Sequence, residues 1–231
     1  MAPDSLARLT KEIESCYACP RLVEWREAVA REKRAAFASE EYWGRPVPGF
    51  GDPAARVLIL GLAPAAHGGN RTGRLFTGDR SGDWLFAALF RAGYANQALS
   101  VDRDDGLALH DAYIAAAVRC APPANKPTPG ERDACQPFLE REMSLLANVR
   151  VIVALGSFGY EAACRVLGVR PRPRFGHGVE VRASPEADGG PTILCSYHPS
   201  QQNTFTGKLT VEMTDAIFAR ARVLSSAAPA R

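Results

Sequence analysis

Hydrophobic positions in this chain fall into two kinds of run. Short, nearly continuous apolar stretches occur at Arg56-Val-Leu-Ile-Leu60, Ala112-Tyr-Ile-Ala-Ala-Ala-Val118, Arg150-Val-Ile-Val-Ala-Leu155 and, more weakly, Thr192-Ile-Leu-Cys195. Runs of this length without alternation predict strands covered on both faces, as in a parallel sheet. Between them the apolar residues recur at helical spacing: Leu6, Leu9 and Ile13, then about Arg21–Arg34, Ser81–Ala92, about Gly130–Ala147, Ser157–Leu167 and a last amphipathic stretch from about Gly207 to Leu224. Strands alternating with helices predict an α/β fold, a three-layer α/β/α sandwich around a short, mostly parallel four-stranded sheet. One domain over 1–224 is expected, with 225–231 as a disordered tail. The Pro- and Gly-rich stretch from Trp43 to Pro53 is expected to be irregular.

Composition changes the picture mainly by exclusion. With 231 residues, 46% hydrophobic and 23% charged, the chain fits an ordinary globular protein with a core of its own. No apolar run approaches the roughly 20 residues of a membrane span. No export signal is read at the start, so a cytoplasmic location is expected. The six cysteines are too few for a disulfide scaffold of this size, yet two form Cys16-x-x-Cys19. In a non-exported chain that pair points to metal or redox chemistry. A net charge of +3 permits nucleic acid as a partner without requiring it.

In open α/β sheets, ligands bind beyond the carboxyl ends of the strands, so the segments that follow each strand carry the information. After the first comes Gly61-Leu-Ala-Pro-Ala-Ala-His-Gly-Gly-Asn-Arg-Thr-Gly-Arg-Leu-Phe-Thr-Gly-Asp-Arg-Ser-Gly82, whose glycines let backbone approach a ligand closely. It is neither a Walker loop nor a dinucleotide fingerprint. Arg119-Cys-Ala-Pro-Pro-Ala-Asn-Lys-Pro-Thr-Pro129 follows the second strand, and Ser196-Tyr-His-Pro-Ser-Gln-Gln-Asn-Thr-Phe-Thr-Gly207 the fourth. Each candidate in them also has a purely structural explanation. His198 could cap a strand end, Asp79 could sit at a helix N-terminus, Asn125 could form a turn, and Phe76 could be core.

Together the three segments resemble the uracil-DNA glycosylase superfamily, and its family 5 in particular. Gly61–Arg74, Phe76–Asp79, Cys120–Pro127 and His198–Gly207 match in order and spacing, and the likeness runs from about Cys16 to Leu224. Family 4 enzymes are similar but carry an acidic residue in the first motif, where this chain has Ala63. The resemblance implies a monofunctional hydrolase that flips a base out of DNA, cleaves its N-glycosidic bond and leaves an abasic site for downstream repair enzymes. It implies catalytic roles for Asp79, Asn125 and His198. His198 would donate to the leaving base and Asp79 would orient water or balance the sugar cation. Phe76 would stack on the base, with Ala63 and His67 lining the pocket. It also implies breadth, because Ala116 stands where family 4 carries the Asn that reads uracil. Deaminated purines such as hypoxanthine are therefore expected substrates besides uracil.

The resemblance further places Cys16, Cys19, Cys120 and Cys135 as ligands of a structural [4Fe–4S] cluster, with zinc as the rival, since tetrahedral sulfur suits both. Cys164 and Cys195 are expected to be buried packing residues. The segment 165–178 holds four arginines and a histidine. Arg172 and Arg174, together with Arg74, Gln201, Asn203 and Lys208, are expected to contact DNA. Asp102, Asp104, Asp105 and Asp111 should face away from it. A monomer without membrane contact is expected. The rival of another class is a catalytically silent damaged-DNA-binding or scaffold protein on the same fold.

Overall fold

The computed structural model describes residues 3–182 and 190–226. The four expected strands are present as β2 (Val57–Gly61), β3 (Ala112–Ala116), β4 (Val151–Leu155) and β6 (Thr192–Ser196), all mutually parallel where they pair. The sheet is wider than four strands. A two-residue strand, β1 (Phe50–Gly51), and a three-residue strand, β5 (Glu180–Arg182), add antiparallel edges, giving the order β1-β3-β2-β4-β6-β5. Neither edge has an apolar run long enough to announce itself, and β1 lies inside the Pro/Gly segment expected to be irregular.

Successive side chains of the central strands go to opposite faces. Val57, Ile59, Ile114, Val151, Val153 and Leu194 enter one core with Leu85, Phe86, Leu89, Ile217 and Phe218. Leu58, Leu60, Tyr113, Ile152, Ile193 and Cys195 enter the other with Leu139, Tyr160, Ala163 and Cys164. Helices α4 (Arg80–Arg91) and α8 (Val211–Ser226) cover the first face; α5 (Pro129–Leu145) and α6 (Gly156–Val166) cover the second, with α1 (Leu6–Glu14) against α5. The remaining helices are α2 (Pro20–Glu32), the single turn α3 (Gly69–Thr72) and α7 (Gln201–Phe205). Both faces being buried explains why the strands read as continuous apolar runs. Cys164 and Cys195 are buried in this packing, as expected.

Two boundaries differ from expectation. The last helix starts at Val211, where the Thr210 hydroxyl accepts the Met213 N–H, and the stretch ahead of it contains α7, capped by Ser200. Ser225 and Ser226 belong to α8 and not to a tail; 227–231 lie outside the described residues. No described helix is long and apolar enough to cross a membrane.

Candidate active site and cysteine centre

The segments after β2, β3 and β6 converge on a cleft of about 460 Å³ at the carboxyl edge of the sheet. Leu62, Ala63, Ala65, Phe76 and Asp79 form one side, Asn125 a second, and His198 with Ser200–Gln202 a third. Such a concavity, apolar with a few convergent polar groups, is what a ligand site requires.

Asp79 is set by the start of α4. It is the N-cap residue in extended conformation, and its Oδ1 accepts the Gly82 N–H at 3.0 Å. Burial raises its carboxyl pKa, and the amides of Gly82 and Ser81 only partly offset that. The other oxygen packs so closely on Gly68 that a Cβ there would stand 2.0 Å from Oδ2. Arg71, from α3, braces the same loop. Its Nε donates to the His67 carbonyl at 2.9 Å and its Nη2 to the Gly78 carbonyl at 2.8 Å, while Nη1 pairs with Glu40.

Phe76 adopts φ +54°, a conformation uncommon for a bulky residue and typical of functional loops. Its ring lies 6.0 Å from that of His198 at an interplanar angle of 33°. A Cβ on Gly82 would come 1.8 Å from the Phe76 carbonyl oxygen, so the first turn of α4 closes against Phe76 only with glycine there. His198 follows β6 after one intervening residue, Tyr197. Its carbonyl accepts from Asn203 Nδ2 at 2.8 Å, which fixes the backbone and leaves the imidazole to the cleft. Desolvation pulls its pKa down to about 4, so the ring is neutral at physiological pH. Asn125, at φ +54° beside Ala124 at φ +51°, is exposed at the cleft rim; asparagine tolerates this left-handed backbone better than most residues.

The fold therefore gathers Asp79, Asn125, His198, Phe76 and Ala63, with Gln201 at the edge. Several expectations need correction. Arg74 is only 7% exposed and makes no phosphate contact available: its Nη2 is bound to both carboxylate oxygens of Asp105, at 2.8 and 2.7 Å, and to Ser100 Oγ. Asp105 is accordingly structural, and Asp111 is paired with Arg56, which leaves Asp102 and Asp104 as the exposed part of the acidic patch. His67 does not line the cleft; its Nδ1 hydrogen-bonds the Tyr42 hydroxyl at 3.1 Å. Asn203 serves the His198 backbone. Arg172 lies 3.8 Å from Glu161, whereas Arg174 is exposed. Phe175 and His177 pack on Tyr197, and the Lys208 ammonium stands over the same ring, so the arginine-rich segment and Lys208 meet beside His198. Sequence reasoning missed Arg71 and Arg80. The latter lines the cleft and places its guanidinium 5.4 Å from the centroid of Phe205, a 68% exposed aromatic at the end of α7. Its only signal was adjacency to Asp79.

The cysteines of interest come together from three places: the turn before α2, the loop after β3 and the second turn of α5. All are free thiols. Cys120 and Cys135 are buried with Leu22 and Val118, and Cys19 packs against them. Burial pushes the Cys120 thiol up to about 12, and the charges of Cys135 and Cys16 act in the same direction. Cys19 and Cys135 likewise feel other members of the set. Arg21 ties the segments: its Nε and Nη2 bind the two oxygens of Glu131, which itself closes a capping box with Thr128 at the start of α5. Among the described residues, no group of three or more His, Cys, Asp or Glu is arranged to hold a metal ion.

Residues 48–222 match the family model described as the uracil DNA glycosylase superfamily. The chain is 56% identical to the type-5 uracil-DNA glycosylase of Mycobacterium bovis over 96% of its own length and 82% of that protein's. It is 51% identical to the type-5 enzyme of Thermus thermophilus, covering 92% of this chain and 95% of that one. To the type-4 uracil-DNA glycosylase of Thermotoga maritima it is 30% identical, over 67% of this chain and 69% of the relative.

Proposed function

The chain belongs to the uracil-DNA glycosylase superfamily, and on that premise we propose that its cleft excises uracil from DNA by hydrolysis of the N-glycosidic bond, in base excision repair. The observation that carries the reading is the convergence of a buried carboxylate, a neutral imidazole and an aromatic face in one cleft at the sheet's carboxyl edge.

Departure of uracil leaves positive charge on the sugar and puts negative charge on the base, so a site must stabilise opposite charges at two places. An extruded base stacks on Phe76. The neutral His198 ring donates an N–H to the base as charge grows there, without having to lose a proton first. Asp79, ionised and poorly solvated, favours the cationic sugar and orients the attacking water. Asn125 offers an amide with both a donor and an acceptor at the rim to hold that water or the base. Arg80 and the exposed Arg174–Lys208 rim carry the phosphates.

The substrate range is broader than uracil. Ala63 and Leu62 present aliphatic wall beside Phe76, and Ala116, at the end of β3, has no side-chain amide with which to select the uracil edge. The enzyme acts as a monomer and hands an abasic site to downstream repair enzymes. The cofactor reading is a structural [4Fe–4S] cluster held by Cys16, Cys19, Cys120 and Cys135. Four free thiols from three segments lie close enough to influence one another electrostatically, and the fully buried Arg26 has unpartnered N–H groups beside them. The four are not arranged around a single metal ion, but by their chemistry four sulfur donors beside a buried cation suit an anionic iron–sulfur group, which would supply a cross-link between segments and take no part in hydrolysis.

The deciding experiment incubates purified protein with labelled oligonucleotides bearing uracil, hypoxanthine or no lesion, followed by alkali. Alkali-labile breaks at uracil and at hypoxanthine are expected. Breaks at uracil alone would remove the broad specificity. If no substrate yields an abasic site while lesion-bearing DNA is still bound, the silent damage-binding reading replaces catalysis.

A further inference from the structure

Arg26 occupies a position that packing alone does not explain. It sits in the middle of α2 and is 0% exposed. Its Nη1 donates to Cys120 Sγ at 3.1 Å and to the Cys16 carbonyl at 3.2 Å. Nε and Nη2 are buried with no hydrogen-bond acceptor. Among the described residues the only carboxylate in ion-pair range is that of Glu27, 3.9 Å from Nη2 and 41% exposed, beyond hydrogen-bond distance. The ring of Tyr17, between the first two cysteines, covers the guanidinium 4.9 Å away. A second buried arginine shows what the fold does elsewhere. Arg119 has its charge met by Glu142, with Nη2 and Oε2 2.5 Å apart and both side chains inaccessible, and although its Nε also lacks an acceptor, it has the buried carboxylate that Arg26 does not.

A guanidinium cannot shed its charge in a protein, and a buried ion persists only when paired and hydrogen-bonded. Four neutral thiols would not answer Arg26, because thiol sulfur is a weak acceptor without net charge. Thiolates bound to iron would. We infer that Arg26 is the fixed counter-ion of the group held by Cys16, Cys19, Cys120 and Cys135, with Nε and Nη2 as donors reserved for that group's sulfur atoms. This rests on the cluster reading above. Arg26 is a positioning residue and not a catalytic one. Its backbone carbonyl accepts from Asn70 Nδ2 at 3.1 Å, so the counter-ion stands on a segment tied to α3 and thus to the loop that holds Asp79.

The test compares the wild-type chain with Arg26→Gln and Arg26→Lys, all purified anaerobically. Iron and acid-labile sulfide, the rate of iron release to a chelator and the midpoint potential are measured. Arg26→Gln is expected to release iron about tenfold faster, the scale of losing a charge-assisted hydrogen bond. Its midpoint potential should move to more negative values, because a nearby positive charge favours the more reduced, more negative state. Arg26→Lys should keep the potential near wild type and still release iron faster, since it retains the charge and loses the planar fork. A loaded Arg26→Gln with wild-type release and wild-type potential overturns the counter-ion and leaves the cluster standing. Should Arg26→Gln not accumulate as folded protein, unchanged iron release in Arg26→Lys overturns it. A wild-type chain without iron and sulfide sinks the cluster reading itself, which a change confined to the variants cannot do. If zinc is found instead, the cluster is wrong and the counter-ion is read from zinc release, again faster in Arg26→Gln.

Discussion

In the proposed mechanism, folding and chemistry both draw on the one carboxylate of Asp79. Oδ1 caps α4 through the Gly82 N–H, and burial raises its pKa above the ordinary 3.8. A raised carboxyl pKa means that the folded state disfavours the ionised form, so neutralising the group removes a cost to stability. Asparagine is also a good N-cap and keeps an oxygen for Gly82. Asp79→Asn should therefore melt at the wild-type temperature or above while uracil release falls roughly 10²–10⁴-fold. A lowered melting temperature with normal turnover would reverse both halves of that argument. The same shift places the acid limb of the pH–rate profile above the usual carboxylate range, with activity lost as pH falls and Asp79 takes up a proton.

His198 shifts the other way, with a separate consequence. Its folded pKa of about 4 lies below the ordinary 6.5, so the unfolded chain binds the proton first. The associated stability is complete above pH 6.5 and is lost progressively as pH falls from 6.5 towards 4. Denaturant titrations across that window should show a steeper loss in wild type than in His198→Asn. Equal slopes would mean that the imidazole is not desolvated in the folded protein. Between pH 5 and 8 no histidine limb should appear in the rate, because the ring is already neutral.

At the scale of elements, the loop between β2 and α4 is held by contacts that leave no room. Gly68→Ala would place Cβ 2.0 Å from Asp79 Oδ2 and force the carboxylate away. Turnover should fall about 10²-fold, the scale of an ångström misplacement in a catalytic group. On the cluster reading, the cysteine centre meets this loop through the Asn70–Arg26 hydrogen bond and should keep its iron content in Gly68→Ala; loss of the iron would show that the loop and the centre fold as one unit.

How much of these elements could be read beforehand follows from their physics. The four central strands were legible because burial on both faces makes them continuously apolar. The edges β1 and β5 were not, since two or three residues carry no period and their pairing is decided by the neighbouring strand. Asp79, Asn125 and His198 were singled out through motifs, and the fold brings all three to one cleft. Arg71, Arg26 and the Arg74–Asp105 pair were hidden because an arginine's sequence neighbours do not say whether its guanidinium meets solvent, a carboxylate or sulfur. That choice is made by tertiary packing across 31 residues for Arg74 and 94 for the Arg26–Cys120 contact.

Over the whole molecule, a net charge of +3 averages regions of opposite sign. Residues 150–182 hold six Arg against two Glu, and 99–111 hold four Asp against one Arg. Part of the positive charge is already answered within the chain: Arg74 and Arg119 pair with buried carboxylates, and Arg56, Arg91, Arg141 and Arg220 with carboxylates at the surface. Beside the cleft stand Arg80 and the rim where Arg174 precedes Phe175 and Lys208 stands over Tyr197. Each phosphate neutralised by such a group releases counter-ions, so binding weakens linearly in log–log against salt. Arg174→Ala and Lys208→Ala should each weaken DNA binding equally on lesion-bearing and undamaged duplexes and reduce the magnitude of the salt slope by about 1. Arg74→Ala serves as the internal contrast. It removes one partner of an inaccessible ion pair, so it should lower the melting temperature markedly and leave the salt slope of the folded fraction as in wild type. A reduced slope in Arg74→Ala, with wild-type slopes in the two rim variants, would move the DNA path to the other side of the cleft.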